Sequence, residues 1–259
     1  MSSAFLVIAL GPSLGKAPSI ILWITTAIMI VAAIIIAAMT RTVNPRIRHH
    51  YYVSAFIVLW AATLYFLMAS GYGYFTQPGG HVFLYARYID WLVTTPLLLL
   101  SLALVALPKG HTGRGSLTAV LLGADVYMIL TGFAASFIRT GFRWAFFGMS
   151  CAGFLVVLYI IAFKLTPEAS RRSQDVKSLY AKLAPTLSIL WICYPIVWVL
   201  SSTGWGVFPA FVSVLLFAIL DVAAKVGYGF TLVSHPQALT QAEQQTVETT
   251  GESRSALQA

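Results

Sequence analysis

The sequence predicts an all-α fold, a bundle of seven membrane-spanning helices in one domain. Three observations carry that prediction. Hydrophobic residues make up 59% of the 259 residues and Asp, Glu, Lys and Arg only 9%, where a soluble domain carries roughly 25% charged residues. So few charges cannot cover the surface of a soluble globule, and the same composition excludes disorder outside short segments. The apolar residues fall in seven continuous runs, each near the length of about 20 residues that a helix needs to cross a bilayer. They do not alternate as the strands of a transmembrane barrel do. Finally, the basic residues gather in alternate loops.

Taken in order, the first apolar stretch, Ala4–Leu10, is too short to span. No basic region precedes it, so a signal peptide is not expected. Ile20–Met39 is the first full span and has no charge. Tyr52–Tyr74, Val82–Leu107, Leu117–Phe137, Trp144–Phe163, Leu183–Ser202 and Val207–Val233 follow. These spans use most of the chain, so the connections are short and consecutive helices are neighbours. The expected organisation is an extracellular segment over 1–18, one membrane domain over 19–236 and a polar tail over 237–259. The tail is poor in aromatics and is expected to be disordered.

The orientation follows from loop charge. Arg41, Arg46, Arg48, Lys109, Arg114, Lys164, Arg171, Arg172, Lys177 and Lys182 lie on one side, and only Lys16, Arg139 and Arg143 on the other. The basic side is expected to be cytoplasmic, with the N-terminus outside and the C-terminus inside. The net charge of +8 then reports these loops and not nucleic-acid binding. Cys151 and Cys193 lie in apolar runs and read as packed thiols with no disulfide framework. His49, His50, His81, His111 and His235 fall at loops or helix ends and read as ordinary surface residues. No metal-ligand spacing and no phosphate-binding glycine loop are present.

Charges inside the spans carry the functional signal. Asp90, Asp125 and Asp221, three of the eight acidic residues, lie in apolar segments together with Arg87 and Lys225. A charge at mid-membrane costs about 2.5–3.5 kcal/mol on insertion scales, so such residues face the bundle interior. Arg87, Asp90, Thr94 and Ser101 share one helix face, and Asp221 and Lys225 are one turn apart. A buried ion-pair network that merely ties helices together would place charges in this way, but it does not need to line one continuous track. Aromatic residues flank the track: Trp91 follows Asp90, and Trp191, Tyr194 and Trp198 share a face around Pro195. They form either a packing stripe or a slot for a flat apolar ligand. Pro195 also deprives a carbonyl one turn earlier of its donor.

Together these residues resemble the microbial rhodopsins, on their bacteriorhodopsin-like proton-pumping branch. The resemblance rests on residues 87–100 of the third span, on Trp191, Tyr194, Pro195 and Trp198 in the sixth and on residues 221–229 in the last. Tyr65 and residues 71–73, Gly123, Ala124, Asp125, Thr131, Gly132, Arg143 and Ser150 extend it over the other spans. It implies all-trans retinal bound covalently to Lys225 as a protonated Schiff base. It makes Asp90 the counterion and proton acceptor, Asp221 the second counterion and Arg87 the compensating cation. Thr94 would support Asp90, and Tyr65 and Tyr194 would hold Asp221. The implied pocket walls are Trp91, Thr95, Leu98, Met128, Gly132, Phe147, Ser150, Cys151, Phe154, Trp191, Tyr194, Pro195, Trp198 and Ala224. Asp125 matches a neutral, structural carboxyl.

The resemblance also implies a class. Chloride pumps carry a neutral residue at position 90, and sodium pumps place Asn and Asp where Asp90 and Thr94 stand. A channel would need a more polar inner track, and non-photoactive relatives lack the lysine. A light-driven outward proton pump of the cell membrane is therefore expected, with no enzymatic activity. Its cytoplasmic donor carboxyl is replaced by Ser101, about 16 Å inward of Asp90, so reprotonation is expected to be slow. The outer release glutamates are replaced by Thr203 and Ser213. The alternative is a sensory rhodopsin signalling through a partner, although the Thr and Tyr of archaeal sensors are Ala224 and Leu187 here. Expected partners are the lipid bilayer, the transported proton and further copies of the chain. A carotenoid antenna is not expected, because Phe147 stands where antenna-binding relatives have glycine.

Overall fold

The computed structural model describes residues 14–77, 81–108 and 110–244. The expectations for Ala4–Leu10 and for 245–259 lie outside the described residues. Seven helices long and apolar enough to span a membrane are present. We label them α1 (Lys16–Met39), α2 (Arg48–Ala69), α3 (Tyr85–Ala106), α4 (Arg114–Phe137), α5 (Phe142–Ser170), α6 (Gln174–Leu200) and α7 (Ala210–Val233). α1 packs on α2, α4 on α5, and α7 closes the bundle against α1. The outward faces stay apolar, with Ile24, Val31, Ile34, Leu155 and Ile189 exposed, as a lipid-facing surface requires.

Several boundaries differ from the hydropathy runs. The second run was expected to reach Tyr74 and the third to begin at Val82. Instead α2 ends at Ala69, and a hairpin of β1 (Phe75–Gln77) and β2 (His81–Phe83) precedes α3, with Phe75 opposite Phe83. Hydropathy joined residues 70–74 to the second run and Val82 and Phe83 of β2 to the third because they are largely apolar or aromatic, although they are not helical. Gly73 makes the approach to α3 possible. It has φ +74°, and a Cβ there would lie 2.6 Å from Ala86 Cβ. Its carbonyl accepts a hydrogen bond from Ala86 N at 3.0 Å. α6 begins at Gln174, well before Leu183, because a helix continues past the bilayer edge on polar residues that hydropathy does not count.

Two helices contain a turn of π geometry, Ile161–Leu165 in α5 and Val222–Gly227 in α7. The second carries Lys225. Such turns insert one extra residue and recur at functional sites.

The tail is also corrected. It was expected to be disordered from Gln237, but residues 236–244 form a helix, α8. Ala238, Leu239 and Ala242 are buried in the core. Arg172 Nη2 donates to the Ala242 carbonyl at 2.7 Å, and Gln241 bridges Ser173 and Asp175. Alanine and leucine at helical spacing were enough to dock a segment whose average composition is polar.

Candidate functional site

α3 and α7 bring three charges together midway through the bundle. Lys225 Nζ donates to Asp90 Oδ2 at 2.5 Å and to Asp221 Oδ1 at 3.0 Å. Lys225 is 2% exposed and both carboxylates are fully buried. Taking a single member away from such a group costs about 3–5 kcal/mol, because the remaining charges lose their partner.

The two carboxylates are held differently. Asp221 accepts from Tyr65 OH at 2.7 Å, Tyr194 OH at 2.8 Å and Trp91 Nε1 at 3.0 Å, besides Lys225. Asp90 has Lys225 and one long contact, Thr94 Oγ1 to Oδ1 at 3.4 Å. The better-formed bond of Thr94, at 2.9 Å, goes to the Asp90 backbone carbonyl. Thr94 thus reaches the carboxylate as expected, but its hydroxyl is shared with the carbonyl one turn back, which is the shorter of the two bonds.

Arg87 is buried one turn from Asp90 but is not ion-paired with either carboxylate. Its guanidinium lies 4.3 Å from the centre of the Phe217 ring, and Nε and Nη2 make no hydrogen bond. Any compensation of the second negative charge therefore acts through space.

Beyond Lys225 a cavity opens between α3, α4, α5, α6 and α7. Its wall contains Trp91, Thr95, Leu98, Met128, Gly132, Phe147, Ser150, Cys151, Phe154, Trp191, Tyr194, Pro195, Trp198 and Ala224, with Lys225 and Asp221 at one end. Tyr65 is not on the wall; it reaches the site only through Asp221. Phe147 stacks on Trp198 with centroids 4.5 Å apart, and Trp91 meets Tyr194 edge-on at 5.3 Å. At Gly132 an added Cβ would come within 3.1 Å of Ser150 Oγ, which is itself tied to the Met128 carbonyl at 2.8 Å. The glycine keeps the slot open where α4 and α5 approach. A long, flat, apolar group joined to Lys225 Nζ, such as retinal, fits these residues: rings on its flanks, a primary amine at one end and carboxylates to pair the charge there.

Sequence reasoning missed Tyr88, Ile129 and Phe217 on this wall. Phe217 lies one turn before Asp221, and Tyr88 one turn before Trp91, so helical spacing could have found both. It could not find Ser136, which accepts from Trp198 Nε1 at 2.6 Å and shares a short hydrogen bond with the Tyr88 hydroxyl. Asp125 receives Thr95 Oγ1 at 2.8 Å on Oδ2, while Oδ1 makes no hydrogen bond.

Toward the end that carries α8, Ser101 Oγ bonds to the Leu98 carbonyl at 2.8 Å and to Tyr228 OH at 3.0 Å. Tyr228 lies one turn beyond Lys225 and is buried. Toward the hairpin end a second cavity is lined by Arg87, Ser201, Ser202, Thr203 and Ser213 among others, with no carboxylate on its described wall. At its rim Arg139 and Arg143 donate to the carbonyls of Ser202 and Thr203 at 3.3 and 3.4 Å. Burial, with Arg139 and Arg143 nearby, holds the His81 imidazole below its ordinary pKa.

The chain is similar to known proteins over most of its length. Residues 16–238 match the model of a family described as bacteriorhodopsin-like protein. Bacteriorhodopsin of Haloterrigena sp. (strain arg-4) is 37% identical over 227 residues, covering 85% of this chain and 89% of that one. Sensory rhodopsin-2 of Natronomonas pharaonis is 34% identical over 208 residues, covering 80% and 84%. The crystal structure of thermophilic rhodopsin from Rubrobacter xylanophilus superposes with a TM-score of 0.85 at 39% identity, covering 87% of this chain and 98% of that one.

Proposed function

The chain belongs to the bacteriorhodopsin-like family of microbial rhodopsins, and from that premise we propose that this multi-pass membrane protein is a light-driven outward proton pump. The family implies a retinal chromophore; our reading is all-trans retinal joined to Lys225, with the N-terminus outside and the C-terminus cytoplasmic. Bound there, retinal supplies a light-driven change in the proton affinity of the Lys225 nitrogen.

The observation that carries the proposal is the unequal hydrogen bonding of the two carboxylates. Three neutral donors, Tyr194 OH and Trp91 Nε1 on Oδ1 and Tyr65 OH on Oδ2, favour the charged form of Asp221, and a proton would weaken all three bonds and compete directly with one. Asp90 would give up only the long Thr94 contact. Asp90 therefore accepts the proton leaving Lys225 Nζ, and Asp221 stays an anion that anchors the site. From Asp90 the route continues past Arg87 into the hydroxyl-lined cavity at the hairpin end. Thr203 and Ser213 there cannot store a proton as a carboxyl pair would, so early release is not part of the reading. Phe147, stacked on Trp198, closes the side of the slot, and we expect no carotenoid antenna. Assembly with further copies of the chain belongs to the same reading.

The test is the light-induced pH change in a suspension of cells that express the protein and are supplied with all-trans retinal. Sustained acidification abolished by a protonophore is the expected result. Pigment that forms but moves no protons would instead favour a photoreceptor signalling through a partner. That second reading is favoured by Ser101 and by the 34% identity to a sensory rhodopsin. Against it, Leu187 and Ala224 offer no hydroxyl pair beside the slot.

Ser101 yields a separate prediction. Serine and Tyr228 cannot supply a proton near neutral pH. The proton returning to Lys225 must then come from the solvent on the α8 side, across about 16 Å of mostly apolar interior. After a flash, recovery of the visible absorption should slow in proportion to falling proton concentration as pH rises. A small permeant acid should speed it. Ser101→Asp should make it faster and flatter with pH, provided that burial keeps the new carboxyl protonated at rest. A fast, pH-independent recovery in the unmodified protein would sink the supply-limited account.

A further inference from the structure

We propose that His49, His50 and Glu243 form a binding site for one divalent transition-metal ion of the zinc and copper class, which staples α8 to the start of α2. One ligand atom from each of the three lies within 4.8 Å of the others. His49 Nε2 and His50 Nε2 are each 3.5 Å from the same oxygen, Glu243 Oε1. Two ligands about 2.1 Å from a tetrahedral ion are about 3.4 Å apart, so two of the three edges already have the right length. Side-chain rotation of the exposed His49 closes the third.

An independent observation points to a ligand. His50 is 1% exposed, and its Nε2 faces Glu243 yet makes no hydrogen bond. A buried imidazole nitrogen without a hydrogen bond is costly, and a metal ion satisfies it directly. The site is also held in place. Ala238, Leu239 and Ala242 dock α8, and Arg172 and Gln241 tie it to the turn between α5 and α6. His49, 44% exposed, leaves an entry path and room for a water as fourth ligand. Two imidazoles with one carboxylate suit zinc, copper or nickel, whereas calcium and magnesium take oxygen ligands. Arg172, close enough to act on Glu243, opposes a cation and limits the affinity. No sequence spacing reveals this group, because its members come from the two ends of the described chain.

The experiment uses the full-length, tag-free protein carrying its pigment, stripped of metal and titrated with copper(II). One equivalent should give an electron paramagnetic resonance signal split by two nitrogens, and zinc chloride in large excess should compete it away, since copper(II) binds such ligands more tightly than zinc. Even outer partners of metal ligands change affinity by 10–100-fold, so His50→Ala and Glu243→Gln should each weaken binding by at least about tenfold. His235→Ala, a surface histidine outside the site, should bind as the unmodified protein does. Retained visible colour and an unchanged elution volume show that each variant is folded. Zinc should raise the temperature at which the unmodified protein loses its colour, but not that of His50→Ala/Glu243→Gln. Copper binding that survives in this double variant overturns the proposal, as does the absence of a nitrogen-coupled signal at one equivalent.

Discussion

Lys225→Ala is expected to leave a protein that takes on no visible colour with retinal. Lys225 is the only amine on the described cavity wall, and covalent attachment to a carbonyl compound needs a primary amine in a dry pocket. The alanine variant also leaves Asp90 and Asp221 buried without their cation, a loss of about 3–5 kcal/mol. Lys225→Arg separates the two effects. Arginine keeps a charge that can pair with both carboxylates, yet a guanidinium is always protonated and forms no such bond. It should recover folded yield and stay colourless. The measurement is visible absorbance of the purified protein before and after denaturation. A coloured adduct that survives denaturation in either variant would refute the assignment of Lys225.

Asp90→Asn is expected to abolish outward pumping while keeping a pigment whose absorption is shifted to the red. The substitution removes the negative charge 2.5 Å from Lys225 Nζ, and with it both the acceptor and the field that localises positive charge at that nitrogen. Asp221→Asn should be milder for proton transfer. Tyr194 and Trp91 can hold the carboxamide oxygen where Oδ1 stood, the Tyr65 hydroxyl can accept from the NH2 where Oδ2 stood, and Asp90 remains to accept. Light-induced acidification per mole of pigment, with the absorption spectrum, measures both variants. Undiminished pumping by Asp90→Asn would rule out its acceptor role. Equal loss in both variants would mean that the unequal hydrogen bonding does not decide the route.

Much of this was legible in the sequence because its signals are local. Each span is a continuous apolar run, so membrane insertion could be read from Ile20–Met39 or Leu117–Phe137 without knowing what lies beside them. The shared face of Arg87, Asp90, Thr94 and Ser101, and the pairing of Asp221 with Lys225, follow from the helical repeat. The wall residues came from resemblance, and the cavity gathers them on five helices.

Tertiary structure decided the rest. Composition cannot tell that the Thr94 hydroxyl divides itself between the carbonyl and the carboxylate of Asp90, nearer to the carbonyl. Nor could it tell that Arg87 sits over Phe217 without an ion pair, or that Ser136 joins Tyr88 to Trp198. The hairpin at Phe75–Phe83 was hidden because hydropathy reports partition into lipid, not backbone conformation. α8 was hidden because a few alanine and leucine side chains dock it within an otherwise polar segment. The meeting of His50 with Glu243 depends on that docking. What the sequence by itself determined is which segments enter the membrane and which charges go with them, since those energies belong to one helix at a time. Which donor serves which carboxylate was decided only by the assembled bundle, because a hydrogen bond between helices is set by angstrom-scale packing of residues far apart in the chain.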